Sequence, residues 1–360
     1  MNDMKRIGLL TSGGDCQALN AAMRGVVKGL SENTEELEVY GFLNGYKGLI
    51  YGNYKLLTSA DFSGILTKGG TILGSSRQPF KLMRVPDENG LDKVEAMKQN
   101  YYKLNLNCLV ILGGNGTQKT ANLLREEGLN VIHLPKTIDN DIYGTDVTFG
   151  FQSAINIACE AIDCIHTTAA SHNRVFIVEV MGHKVGWLTL YAGMASGADI
   201  ILLPEIPYDI DKVIEAIDKR TKAGKGFTIL AVAEGAISKK DAELSKKEYK
   251  KKLENYKYPS VSYEIADQIN QVIGSEVRVT VPGHIQRGGE PCPYDRVLST
   301  RIGAGAAEAI LDEDYGIMIG VINGKIKRVP LAECAGKLKM VSPKDQIVKA
   351  AKQIGISFGD

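Results

Sequence analysis

No CxxC pair occurs in this chain, whose six cysteines, Cys16, Cys108, Cys159, Cys164, Cys292 and Cys334, are scattered and lie mainly in apolar runs. That spacing excludes a compact disulfide framework and reads as reduced, structural thiols. No apolar stretch is long enough to span a bilayer. The start, MNDMKRIGLL, carries no signal-peptide core or twin arginine, so a cytoplasmic protein with no membrane role is expected. Excess charge is missing too. With 43 Lys and Arg against 42 Asp and Glu, the net charge of +1 provides no general field for nucleic acid, and any anion site must come from local clusters. Two nucleotide signatures are absent: there is no GxxxxGK[ST], and no GxGxxG follows the first expected strand.

What is present is a repeating unit. With 360 residues, 44% of them hydrophobic and 24% charged, the chain can bury a large core and divide into two lobes. From Lys5 onward a short aliphatic run, a glycine-rich turn and a helical period recur, which is the pattern of an α/β protein with a parallel sheet. Strands are expected near Arg6 to Leu10, Val39 to Leu43, Cys108 to Leu112, Val131 to Leu134, Val175 to Val180, Ile200 to Leu203 and Phe227 to Val232. Helices are expected at Leu19 to Leu30, Gln118 to Glu127, Ser153 to Ile165 and Lys212 to Ala223. The lysine-dense segment Ser238 to Lys257 interleaves its lysines with acids and reads as a solvated helix or insertion.

In an open parallel sheet the chemistry sits beyond the carboxyl ends of the strands. Three segments there are suited to phosphate. Thr11-Ser12-Gly13-Gly14-Asp15 and Gly113-Gly114-Asn115-Gly116-Thr117 each follow a strand and precede a helix, so bare backbone N–H groups and a helix N-terminus can approach an anion. Pro135-Lys136-Thr137-Ile138-Asp139-Asn140-Asp141 places two carboxylates and a lysine at a third strand end, a cluster that is costly unless it meets a metal, a cation or a phosphate. Any one of these loops alone would pass as an ordinary turn. Further along, Ser171-His172-Asn173-Arg174, Arg278 and Pro282-Gly283-His284-Ile285-Gln286-Arg287-Gly288-Gly289 gather arginines, histidine and glycine into a cradle for a sugar phosphate, because guanidinium groups grip phosphate oxygens bidentately.

Read in order, TSGGD, GGTILGSSR, GGNGT, PKTIDNDI, SHNRVFIVEVMG, AEG and PGHIQRGG resemble the phosphofructokinase family from about Arg6 to Ala335, closest to its mixed ATP/pyrophosphate branch. The resemblance implies two Rossmann-like lobes, each a largely parallel sheet flanked by helices, with the active site in the cleft between them. Residues 1–150 and 286–334 would form the donor-binding lobe, and 151–285 with 335–360 the sugar-phosphate-binding lobe. It further implies transfer of the γ-phosphoryl group of ATP to the 1-hydroxyl of fructose 6-phosphate, giving fructose 1,6-bisphosphate and ADP in glycolysis.

Residue by residue, Asp139 would be the general base, Thr137 would orient the transferring group and His183 would stabilise it. Gly14, Tyr46, Arg77, Gly114, Gly116 and Thr117 would line the donor, and Asn115 and Asp141 would hold Mg²⁺. Thr137, Asp139, Met181, Gly182, Glu234, His284 and Arg287 would contact the sugar phosphate. Arg174 and Arg278 would reach it from a neighbouring subunit, which implies a homo-oligomer, a tetramer in most of the family.

Several positions depart from the family's pattern. Asn115 stands where ATP users commonly carry aspartate, so a metal ligand there brings no charge. His183 stands where most members have arginine. Lys136 is typical of the pyrophosphate-using and mixed branch, whereas Gly116 is typical of ATP users, and the space it leaves favours ATP. The alternatives are a pyrophosphate-dependent phosphotransferase, or a weakly catalytic regulatory subunit that keeps the sugar-phosphate pocket.

Overall fold

The computed structural model describes residues 4–273 and 276–360, and the polar start at residues 1–3 lies outside them. Eleven strands are present among the described residues: β1 (Lys5–Ser12), β2 (Leu37–Phe42), β3 (Tyr54–Leu57), β4 (Cys108–Gly113), β5 (Val131–Pro135), β6 (Val175–Val180), β7 (Ile200–Leu202), β8 (Thr228–Ala233), β9 (Val277–Thr280), β10 (Ile317–Ile322) and β11 (Lys325–Pro330). They make two sheets, ordered β11-β10-β5-β4-β1-β2-β3 and β7-β8-β6-β9. Pairing is parallel throughout the second sheet and in the first except at its two edges, where β2 with β3 and β10 with β11 run antiparallel. The expected α/β class with largely parallel sheets is borne out.

The chain divides into two compact units, Met1–Ser153 with Arg287–Lys339, and Ala154–Gln286 with Met340–Asp360. In the first, Leu109 and Ile111 of β4 pack with Leu10, Phe42, Leu124 and Met318. In the second, Val175 and Ile177 of β6 pack with Leu230, Val232, Ile217 and Ile265. Strands β4, β5 and β6 are buried at every residue, as expected of mainly apolar strands of a parallel sheet covered on both faces. Each such Leu or Ile contributes roughly 1.5–3 kcal/mol by leaving water.

Four strands have no counterpart in the sequence reading, and three of them share a reason. β3 is exposed at three of its four residues, β9 has a single buried residue, and β11 is exposed or half-buried throughout with Lys325, Lys327 and Arg328 in it. Edge strands carry charge to discourage further pairing, so they lack the apolar run that announces a strand. The helix expected from Gln118 begins at Asn115, inside the glycine motif, with Gly114 at its N-cap. The lysine-dense segment folds as two short helices, Lys239–Ala242 and Lys246–Glu254, which bury no residue and start at Ser238 and Ser245, whose hydroxyls accept from backbone N–H groups. No helix among the described residues is long and apolar enough to cross a membrane.

Candidate active site

Register decides which loops meet. Ser12 is paired with Gly113, and Gly113 with Pro135, so the three phosphate-type loops leave neighbouring strands β1, β4 and β5 at the same level. Hydrogen bonds then tie them together. The Thr117 hydroxyl donates to the Ser12 carbonyl at 3.3 Å, and the Lys136 N–H to the Gly113 carbonyl at 3.1 Å. The Lys136 ammonium donates to the Gly14 carbonyl. The segment Gly74-Ser75-Ser76-Arg77 is strapped to the first loop, with the Gly13 N–H on the Ser76 carbonyl at 3.1 Å and the Ser75 hydroxyl on the Gly13 carbonyl at 2.5 Å. Glycine is required at two points: Gly13 has φ +85°, and a Cβ at Gly113 would lie 2.3 Å from the Thr117 side chain. Around Gly116 nothing lies within 4 Å of an added Cβ, so the space beside it is open.

Two of the expected donor-lining residues face different surroundings. Arg77 is exposed, whereas Tyr46 is fully buried with its hydroxyl donating to the Thr117 carbonyl at 2.8 Å. Tyr46 therefore braces the loop from behind.

The third loop is a turn held from several directions. The Asp139 N–H donates to the Thr137 hydroxyl at 3.1 Å, and the Thr148 hydroxyl to the Thr137 carbonyl at 2.8 Å. Asn140 takes a left-handed conformation, φ 55°, which its side chain secures by accepting from the Thr148 N–H at 3.1 Å. Beside it, Asp141 Oδ1 is buried and has no hydrogen-bond partner. Burial, and then the neighbouring charge of Asp139, push the Asp141 carboxyl up to about 6. Lys136 is 3% exposed, and burial pulls its ammonium below the ordinary lysine value.

In the second unit, Glu234 follows β8, and one of its oxygens accepts from two successive N–H groups, Gly182 at 3.2 Å and His183 at 2.7 Å. His183 has φ 52°, a conformation uncommon for residues other than glycine, and this carboxylate helps to hold it. Met181 and the loop holding His284 are joined through Gln286, whose side chain accepts from the Met181 N–H at 3.3 Å and donates to the Gly283 carbonyl at 3.1 Å. Arg174 and Arg278 both pair with Glu276, the former at 2.7 Å. Arg287 opens the second segment of the first unit, and its guanidinium donates to the Asp15 carbonyl at 3.0 Å beside Gly14.

Residues 6–310 match the model of the family described as phosphofructokinase. The chain belongs to the phosphofructokinase family. It is 53% identical to the ATP-dependent 6-phosphofructokinase of Spirochaeta thermophila over 99% of this chain and 98% of that one. It is 46% identical to ATP-dependent 6-phosphofructokinase 3 of Bacteroides thetaiotaomicron, covering 98% and 100%. Among solved structures, Pichia pastoris phosphofructokinase in the T-state superposes with a TM-score of 0.80 at 33% identity, over 99% of this chain and 37% of that chain.

Phosphofructokinase chemistry implies a divalent cation, and the buried, unpartnered Asp141 Oδ1 fits one, since a cation would relieve what burial costs that carboxylate. The Asn115 amide nitrogen donates to the Lys337 carbonyl at 2.9 Å, which leaves the amide oxygen as the end available to a metal. Among the described residues no three His, Cys, Asp or Glu side chains are grouped to hold a metal by themselves. Such a site suits Mg²⁺, which keeps waters and phosphate oxygens as ligands.

Sequence reasoning overlooked Gln286, Glu276 and Lys339. Gln286 stood inside a quoted motif and could have been found there. Glu276 and Lys339 carried no local signal.

Proposed function

We propose that this chain is an ATP-dependent 6-phosphofructokinase, converting fructose 6-phosphate and ATP to fructose 1,6-bisphosphate and ADP. The observation that carries the reading is the junction of three phosphate-type loops, the third of which carries Asp139, in a chain whose full-length relatives are named for this activity.

Phosphoryl transfer asks a protein to position the nucleophile and offset charge. The sugar's 1-hydroxyl oxygen attacks the γ-phosphorus, and its proton passes to the Asp139 carboxylate. The bond from the γ-phosphorus to the bridging oxygen breaks, and ADP leaves with that electron pair. Thr137 orients the group in transit, and His183 stabilises it. The donor lies against Gly14, Arg77, Gly114, Gly116 and Thr117, with Tyr46 bracing Thr117. Asp141 and the Asn115 oxygen would hold Mg²⁺, which when bound would supply positive charge beside the phosphoryl oxygens. Arg174, Arg278, His284 and Arg287 grip the 6-phosphate, while Met181, Gly182 and Glu234 shape the sugar pocket.

Arg174 and Arg278 serve a neighbouring copy's site, so the working form is a homo-oligomer, a tetramer. These substrates support the reading of a cytoplasmic enzyme of glycolysis. Pyrophosphate as donor finds no support: Lys136, which suggested it, spends its ammonium on the Gly14 carbonyl, and the space at Gly116 is open.

The test is formation of fructose 1,6-bisphosphate by the purified protein from fructose 6-phosphate and Mg²⁺, with ATP or pyrophosphate in parallel. Turnover with ATP is expected. Turnover with pyrophosphate alone, or with neither, would overturn the reading.

A further inference from the structure

Lys339 lies beyond residue 310, where the match to the family model ends, yet it is built into the turn that carries Asp139. Its ammonium donates to the Asn140 side-chain oxygen at 2.9 Å, the Thr145 carbonyl at 3.0 Å and the Asp146 carbonyl at 2.8 Å. Its own N–H donates to the Asp141 carbonyl at 2.9 Å, and the preceding Leu338 forms an antiparallel bridge with Ile142. Every one of these partners lies within seven residues of Asp139.

We propose that Lys339 is a positioning residue for phosphoryl transfer: its three donated hydrogen bonds lock the Asp139-Asn140-Asp141 turn, and its ammonium charge partly offsets that of the buried Asp141 carboxylate. An ammonium presents three N–H donors, and here they meet three acceptors spread along the 140–146 segment. The Asn140 side-chain oxygen is the centre of the lock. It receives both the Lys339 ammonium and the Thr148 N–H, so it holds a left-handed residue flanked on each side by a functional carboxylate. Asp141 and Asp146 are the carboxylates whose field reaches Lys339. Without the ammonium, the Thr145 and Asp146 carbonyls lose this donor, the Asn140 oxygen keeps only the Thr148 N–H, and the turn is free to relax. A displacement of about 1 Å at a reacting group can cost ~100-fold in rate.

The inference rests on the proposed activity, and the experiment separates the two. Wild-type protein is assayed first with ATP, fructose 6-phosphate and Mg²⁺; a wild type with no turnover speaks against the activity itself. With an active wild type, Lys339→Met keeps the apolar stem and removes the donors. It is expected to lower kcat at least ~30-fold, to leave KM for fructose 6-phosphate within about threefold, and to raise the Mg²⁺ concentration needed for half-maximal rate. Lys339→Arg, which keeps charge and donors, is expected to recover at least about a tenth of the wild-type kcat, and it carries the test if Lys339→Met fails to fold. Lys344→Met, an exposed lysine of the same segment, is expected to behave as wild type. A Lys339→Met enzyme with unchanged kcat, a loss confined to KM for the sugar, or an equal loss in Lys339→Arg and Lys339→Met would overturn the proposal.

Discussion

The ammonium of Lys136 donates to the carbonyl oxygen of Gly14, joining the first phosphate-type loop to the one that carries Asp139. A lysine held inside the protein in this way supports the loops, while the space beside Gly116, proposed to face the donor, stays open.

Gly116→Asp is therefore expected to fold with little change in Tm, because its Cβ meets nothing. The carboxylate would occupy the space for the nucleotide and repel its phosphates. kcat/KM for ATP should fall ~100-fold or more, against a much smaller change in KM for fructose 6-phosphate. Steady-state kinetics at varied ATP check this, and an unchanged kcat/KM would remove Gly116 from the donor site.

Asp139→Ser removes the proposed proton acceptor and leaves untouched the arginines and Glu234 proposed for the acceptor pocket. Turnover should fall ~1,000-fold or more, as loss of a positioned base commonly gives 100- to 10,000-fold, while calorimetric binding of fructose 6-phosphate persists. Retained turnover would assign the base elsewhere.

Asp141 makes the unliganded protein pH-sensitive in a defined direction. Its carboxyl sits at about 6 in the folded protein, above the ordinary aspartate value near 3.8, so the folded state binds the proton more tightly. The stability this contributes is fully present below about pH 4 and is lost as pH rises through about 6, a span worth up to ~3 kcal/mol. Asp295, Asp199 and Glu205 are also raised by burial and act in the same sense. The diagnostic comparison is thus with Asp141→Asn: denaturant melts at pH 5 and pH 7.5 should show a smaller difference in the variant than in the wild type.

Arg174→Ala should act on substrate recognition. KM for fructose 6-phosphate is expected to rise at least about tenfold with kcat much less affected, since the 6-phosphate is remote from the reacting hydroxyl. A KM equal to that of the wild type would take Arg174 out of the acceptor site.

Tyr46→Phe tests the brace behind the second loop. The Thr117 carbonyl loses a buried donor, so stability should fall by about 1–2 kcal/mol while the fold persists. A denaturation midpoint unchanged from wild type would mean water replaces the hydroxyl.

The amino-acid sequence by itself determined the fold class and most of the chemistry-bearing loops, because a buried parallel strand is a continuous apolar run and a phosphate loop after it needs glycines in fixed order. Arg6 to Leu10, Cys108 to Leu112 and Val175 to Val180 could be read directly as strands, and TSGGD, GGNGT and PKTIDND as the loops beyond strand ends. The edges of the first sheet were not legible, because β3 is only four residues long with a single buried one and β11 is broken by Lys325, Lys327 and Arg328, so neither offers a continuous buried apolar run. Tertiary structure alone decided which backbone groups are satisfied by residues far away in the chain. Tyr46 reaches Thr117, Arg287 reaches Asp15, and Lys339 crosses nearly two hundred positions to hold Asn140. A long polar side chain spends its hydrogen bonds on whatever the fold brings within about 3 Å, and nothing in its local sequence records which partner that will be.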